Sequence, residues 1–313
     1  VRLSPLLALG ACAMLAAVLV PGLGHTVNGS TRWIDLGAFT VQPSEPARLA
    51  LVVYIASYIV RHHREMSASL SGFVKPMLVI AGACVLLLAE PDFGAAVVLT
   101  ATVLGMLFVG GARIRDFLLV LSVAVGALAW LALSSSYRLA RLLGFMDPWA
   151  DPYASGFQLT QSLIAIGRGE WLGVGLGDSV QKLFYLPEAH TDFVFAVLAE
   201  ELGVIGSTLV IGLFGVIIYK ACVLGPRAAK AGLPFQGLVA AGIGLLIGLQ
   251  AWINIGVNLG LLPTKGLTLP LISYGRTSAI VTLAGLGLLA RAYHEVHEAE
   301  RRLPAAARED RRR

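Results

Sequence analysis

Charge is scarce in this sequence. Only 14% of its 313 residues are Asp, Glu, Lys or Arg, against 57% that are hydrophobic, and the mean hydropathy is +0.77. A soluble domain of this size needs far more polar surface, so the composition places the chain among polytopic membrane proteins. Cysteine is as sparse. Cys12, Cys84 and Cys222 all lie in apolar runs, and an odd number of such thiols is no disulfide framework. The phosphate-loop pattern ending in GK[ST], HExxH, CxxC and GxSxG are all missing. Nothing therefore points to ATP, to zinc or to a serine nucleophile. The first apolar segment lacks a small-residue cleavage site and is followed by many like it, so it does not read as a signal peptide. The chain opens on Val1 and is already apolar from Leu3, so further residues are expected upstream.

What is present is a series of apolar runs. A membrane span needs roughly 17 to 25 mostly apolar residues. Candidate spans lie at about 4–22, 44–60, 76–90, 93–110, 116–134, 193–219, 234–261 and 272–292, eight in all. An even number puts both chain ends on one side. The polar turn "EPDFG" between the third and fourth fits a hairpin of antiparallel helices. The basic residues set the orientation. One set of loops, with the tail, holds Arg2, Arg61, Arg64, Lys75, Arg113, Arg115, Lys220, Arg227, Lys230, Arg291 and the six arginines after it, 16 of the 24 Lys and Arg residues. That side is expected to be cytoplasmic. Residues 23–43, 135–192 and 262–271 are then outside, and the basic tail 293–313 lies near anionic lipid. The fold expected is one all-α transmembrane domain over 1–313, with 135–192 as its large extracytoplasmic loop.

That loop is long enough to carry function. Leu159, Leu163, Ile164 and Ile166 space like one face of a short helix, which "GVGLG" then ends. A short amphipathic or re-entrant helix against the outer leaflet is expected there. Irregular backbone at that depth is tolerated only inside protein or along a wet cavity. "TRWIDLGAFTVQPSE" (31–45) reads as an interfacial segment anchored by Trp33.

Acids stand where a membrane helix would avoid them. "YLPEAHTDFVFAVLAEELG" (185–203) carries Glu188, His190, Asp192, Glu200 and Glu201. Pro187 suits a first helical turn, which would put His190 and Asp192 in the first turns and Glu200 roughly 12 Å deeper. Two readings stand for Asp192: a general base in a partly dry pocket, or a helix-start acid favoured by the dipole. Glu200 and Glu201 either line a pathway or tie helices through basic partners. In "NIGVNLGLLPTKGLTLPLISYG" (254–275), Asn254 and Asn258 share a helix face. Pro263 and Pro270 bracket a broken stretch with Lys265, which either meets an acid or anionic ligand or snorkels to the surface. Arg138, Arg141, Arg168 and Lys182 sit on the outer side against the positive-inside tendency. They either grip phosphate or pair with Asp147, Asp151 and Glu170.

These stretches, together with "NGSTRWIDLG…QPSE", "EPDFG", "FQLTQSLIAIGRGEWLGVGLGDSVQ" and "LPTKGLTLPLISYG", resemble the FtsW/RodA (SEDS) family over nearly the whole chain. "YLPEAHTDF" and "KGLTLPLISYG" are more similar to its division branch than to its elongation branch. The family has ten membrane helices, so the eight here would be its third to tenth.

The resemblance implies a peptidoglycan glycosyltransferase of the bacterial inner membrane at the division septum, with both ends of this chain cytoplasmic. It would polymerise lipid II beside a class B penicillin-binding protein of the FtsI type and the divisome proteins FtsQ, FtsL and FtsB. Membrane lipids are expected around it and no nucleic acid. Asp192 matches the family's essential aspartate and Lys265 its "PTKG" lysine. Arg138, Arg141, Lys182 and Lys265 become candidates to neutralise pyrophosphate, with or without a divalent Mg or Mn ion. Gln158, Glu188, His190 and Ser273 become candidates for substrate contact. Two departures stand out: "YGRTS" with Arg276 and Thr277 where the family has Tyr-Gly-Gly-Ser-Ser, and Ala199 for a glycine. Rival readings are a lipid II flippase and a scaffold for the transpeptidase.

Overall fold

The computed structural model describes residues 3–27, 30–35, 37, 40–134, 144–154, 156–264 and 266–302. Helices stand at all eight expected positions: α1 (Ser4–Val18), α2 (Ser44–Ala68), α3 (Leu70–Ala89), α4 (Phe93–Val109), α5 (Ile114–Leu133), α7 (Val194–Lys230), α8 (Pro234–Asn258) and α9 (Arg276–Arg302). Among the described residues, α3, α7 and α8 are long and apolar enough to cross a membrane, while α1 and α4 are apolar but shorter.

Most of α8 is buried, and it packs against α7, α4, α9 and α2. Small residues make that possible: a Cβ on Gly242 would strike Val52 and Met106, and one on Gly244 would strike Ala221. Such close backbone approach is how membrane helices gain packing without a hydrophobic drive between them. Leu51, Ile55, Val98, Leu99, Val103, Met106 and Ile247 fill the main core.

The chain is not purely helical. β1 (Gly24–Val27), β2 (Ser30–Asp35) and β3 (Thr40–Val41) form a three-stranded antiparallel sheet in the order β1-β2-β3, with His25 opposite Trp33 and Ile34 opposite Val41. This corrects the all-α expectation and the reading of 31–45 as a plain interfacial segment. Thr26, Val27, Thr31, Ile34, Thr40 and Val41 are β-branched and suit a pleated surface.

Within the 135–192 segment, α6 (Phe157–Gly169) is the expected short helix, but its buried face is Leu159, Ser162, Ala165 and Gly169, and Ile164 is exposed. It packs on α7 and α8 rather than lying free. Gly169 sits where a Cβ would overlap the Ala199 carbonyl oxygen, and Ser162 Oγ donates to the Asn258 carbonyl at 2.9 Å.

α7 breaks at Gly203, whose φ of 64° and ψ of −163° belong essentially to glycine. The polar groups freed by the break find partners in the glycine-rich turn. Val174 and Gly175 donate to the Glu200 and Glu201 carbonyls, and Val204 and Ile205 donate to those of Glu170 and Trp171. These four bonds give backbone groups beside the break partners inside the protein, the condition for irregular backbone in a membrane protein.

The ends of the bundle differ in charge. Arg61, Arg64, Arg113, Arg227, Lys230 and Arg291 lie at or beyond the C-terminal halves of α2, α4, α7 and α9. There Arg61 donates to Ser4 Oγ, Lys75 pairs with Glu65 and Arg227 pairs with Glu300 at 2.6 Å. The same lysine holds the Glu65 carboxyl below its usual range, and Gln236 and Arg291 do the same for Glu295.

Candidate active site

The N-terminal ends of α2, α4, α7 and α9 converge at the opposite end, around one large cavity of about 1770 Å³. β2 supplies Arg32 and Trp33. The start of α2 supplies Gln42, Glu45 and Arg48, the 91–95 turn supplies Asp92, and the start of α9 supplies Arg276 and Thr277. Val125, Ala129 and Leu133 of α5 with Trp252 and Ile253 of α8 form an apolar flank. The volume exceeds that of ordinary small-molecule sites, which run to roughly 1,000 Å³, and suits an amphiphile with a polar head and a long apolar tail.

Asp192 lines this cavity. It precedes α7, whose N-cap is Phe193, so the expectation that Pro187 opens the helix and Asp192 sits in its first turn is corrected. In a helix the Asp192 carbonyl would accept from the Ala196 amide. Here the Ala196 amide donates to the Phe193 carbonyl at 3.1 Å and to Asn258 Oδ1 at 3.0 Å, and the Asp192 carbonyl accepts from Asn254 Nδ2 at 2.8 Å and Asn258 Nδ2 at 3.0 Å. The two asparagines replace one local bond with long-range ones, and the chain leaves the helix at Asp192. A Cβ on Gly266 would stand 3.2 Å from Asp192 Oδ2 and 3.8 Å from Arg32 Nη1, so the carboxylate and the guanidinium flank the same glycine.

The 186–193 turn is fastened to the 267–275 loop. Ser273 Oγ donates to the Thr191 carbonyl at 2.6 Å and accepts from the Leu269 amide at 2.7 Å. The Tyr274 amide donates to the His190 carbonyl at 2.8 Å. Ser273 and His190 thus hold the wall together; neither is among the lining residues. Glu188 and Gln158 do line the cavity, and Glu188 Oε2 accepts from Thr191 Oγ1 at 2.7 Å.

Lys182 is placed elsewhere. Its ammonium donates to Glu201 Oε1 at 2.7 Å and to the Gly177 carbonyl, and it is not a lining residue. A lysine this well paired is spent on tying the loop to α7. Arg168 likewise pairs with Glu200 at 2.9 Å, not with Glu170. Arg138, Arg141 and Lys265 lie outside the described residues.

Among the described residues, Arg32, Arg48 and Arg276 are the cations that line the cavity. Arg32 donates to the carbonyls of Glu90 and Pro91. Among the described residues no carboxylate is paired with Arg276. Arg48 is buried, with Glu45 at 2.5 Å and Gln250 Oε1 at 3.1 Å. The sequence carried the signal for Arg32 and Arg48: like Arg138 and Arg141, both fall in the segments expected outside or at the helix ends beside them, against the positive-inside tendency. Among the described residues no three His, Cys, Asp or Glu side chains gather to hold a metal ion.

These features define a membrane protein with carboxylates and arginines gathered at the polar end of an amphiphile-sized chamber. The family model described as "Cell cycle protein" (FtsW/RodA/SpoVE) matches residues 1–298, and the chain belongs to this family. It is 56% identical over 285 residues to the "Probable peptidoglycan glycosyltransferase FtsW" of Thioalkalivibrio sulfidiphilus, covering 91% of this chain and 71% of that one. It is 55% identical over 307 residues to the protein of the same description from Nitrosococcus halophilus, covering 98% and 78%. Among solved structures it resembles a peptidoglycan synthase complex that coordinates polymerization and crosslinking, with a TM-score of 0.77, 32% identity, and coverage of 94% and 82%. The rod shape determining protein RodA of Thermus thermophilus gives a TM-score of 0.65 at 32% identity, with coverage of 92% and 76%.

Proposed function

We infer that the chain is a peptidoglycan glycosyltransferase that polymerises lipid II at the outer face of the bacterial inner membrane during septal wall synthesis. The observation that carries this reading is Asp192 beside Arg32, in a chamber with a polar end and an apolar flank. All eight helices are read as spans, with the cavity end outside and both ends of this chain in the cytoplasm, because the basic residues gather at the other end. A class B penicillin-binding protein, with FtsQ, FtsL and FtsB, is the partner set this reading expects.

The growing glycan is linked to polyprenyl pyrophosphate. The 4-hydroxyl of an incoming lipid II attacks the anomeric carbon at the reducing end of that glycan. A C–O bond forms as the bond to the pyrophosphate oxygen breaks, with inversion. Asp192 takes the hydroxyl proton, and the electron pair leaves on pyrophosphate. Arg32 and Arg276 are the lining cations placed to meet that charge, and guanidinium forks match phosphate oxygens. Lys265 joins them on the strength of the family motif. Polyprenyl tails lie along the α5 and α8 flank. No step is routed through a metal ion.

The test is reconstitution of the protein with its class B partner and fluorescent lipid II, with products resolved on a gel. A ladder of glycan polymer is expected; its absence under conditions that support related synthases would favour the flippase or the scaffold. Two variants probe the cavity. Arg276→Gly removes a cation facing the leaving group and is expected to lower kcat/KM by about tenfold, in line with the loss of one charge-assisted contact. Unchanged kinetics would remove Arg276 from the site. Gly266→Ala forces a methyl against Asp192 Oδ2 at 3.2 Å. It is expected to cut turnover on the order of tenfold through displacement of the carboxylate while the unfolding temperature stays put; a variant as active as wild type would show that the carboxylate yields freely.

A further inference from the structure

Asn254 and Asn258 stand one turn apart on α8, 2% and 0% exposed, and neither lines the cavity. A buried amide in a membrane helix is costly unless every group is met. Here the groups are met by the segments that build the site. Asn254 Nδ2 donates to the carbonyls of Asp192 at 2.8 Å and Leu267 at 2.6 Å. Asn258 Nδ2 donates to Asp192 at 3.0 Å and to the Asn254 carbonyl at 2.9 Å, while its Oδ1 accepts from Ala196. One side-chain nitrogen therefore joins the backbone of Asp192 to the backbone next to Gly266, the residue that flanks the Asp192 carboxylate.

We propose that Asn254 is a positioning residue for glycosyl transfer: its amide sets the Asp192 backbone against the Leu267 backbone and so fixes where the base stands, with Asn258 as the second donor. The proposal rests on the reading of Asp192 as the base. Apolar packing could join α7 to α8, but it could not fix two carbonyls at a set spacing. Two N–H donors on one rigid amide do so, and a shift near 1 Å at a reacting group is enough to slow transfer on the order of a hundredfold.

The experiment measures initial rates of polymer formation from fluorescent lipid II by the reconstituted protein and its class B partner. The enzymes are wild type, Asn254→Ala, Asn254→Ser, Asn258→Ala, Asp192→Asn and the Asp192→Asn/Asn254→Ala double variant. Asn254→Ala should lose on the order of 10²-fold in kcat with KM nearly unchanged, the pattern of an interaction that matters only in the transition state. Asn258→Ala should lose about tenfold, because Asn254 still ties the Asp192 carbonyl to that of Leu267. Asn254→Ser keeps a hydroxyl donor and should recover part of the Ala loss, which also serves if Asn254→Ala does not fold. In the Asp192→Asn background the Asn254 change should add nothing, since both act through one carboxylate. A wild-type kcat in Asn254→Ala, a loss confined to KM, a Ser variant no better than Ala, or a full further loss in the double variant would overturn the proposal. The two readings fail differently. Wild-type rate in Asp192→Asn strikes the base assignment itself; a slow Asp192→Asn enzyme beside a full-rate Asn254→Ala enzyme strikes only the positioning role.

Discussion

Asp192→Asn is expected to lower glycan polymerisation by roughly 10²- to 10⁴-fold, the range a positioned general base contributes, with no change in folding or partner binding. The side chains are nearly equal in shape, so the cavity is preserved. The contacts that hold this segment run through the residue's carbonyl, to Asn254 and Asn258, and the substitution leaves that carbonyl in place. What changes is the proton acceptor. An amide oxygen does not take a proton near neutrality, so the attacking hydroxyl keeps its own and the nucleophile stays weak. Glu188 is the control. It lines the same cavity, but Thr191 Oγ1 already donates to it at 2.7 Å, and Glu188→Gln should retain most activity. Rates for both come from the lipid II gel assay, alongside unfolding temperatures and co-purification of the partner. Equal polymer from Asp192→Asn and wild type would move the base to Glu188; loss in both variants would mean the two acids work as a pair.

The helices were legible in the sequence because each contains a continuous apolar run bounded by turn residues. The deep glutamates were legible too: an acid at that depth needs a basic partner, and Arg168 and Lys182 supply it. That same fact hid the fate of Lys182, which reads as a phosphate ligand until its partner is known. The small sheet was missed because Trp33 suggested an interfacial anchor, although Asn28-Gly29 between two β-branched stretches of the sequence is a strong hairpin signal. The start of α7 was misplaced for a different reason. Proline spacing is local, whereas the bonds that pull Asp192 out of the helix come from Asn254 and Asn258, 62 and 66 residues away. The shared face of those asparagines was readable, but its target was not. Arg32 reaches the cavity through a strand, so its place became visible only with the sheet.

Glu200→Ala is expected to be among the most destabilising single changes outside the cavity. The carboxylate is fully buried. It accepts from Arg168 Nη1 at 2.9 Å, Ser179 Oγ at 2.5 Å, and the Val180 and Gln181 amides at 3.2 and 3.4 Å. Removing one partner of a buried pair typically costs about 3–5 kcal/mol. The arginine side chain is 45% exposed and can find water again, which pulls the loss toward the lower end of that range. The two amides cannot, because they sit in the loop that docks on α7. Next in the chain, Glu201 is the comparison. Its partner Lys182 is 26% exposed and Glu201 itself 15%, so Glu201→Ala should cost about 1 kcal/mol at most, as partly solvated pairs do. The loop that Glu200 holds also supplies the amides that cover the Gly203 break. Its release should therefore open the 170–181 segment to protease before the bundle unfolds, and transfer should fall although Glu200 touches no substrate. Thermal unfolding in lipid nanodiscs and limited proteolysis with mapped cleavage sites check both points. If Glu200→Ala unfolds at the wild-type temperature, or Glu201→Ala costs as much, then the glycine-rich turn is held by its backbone pairing with α7 alone.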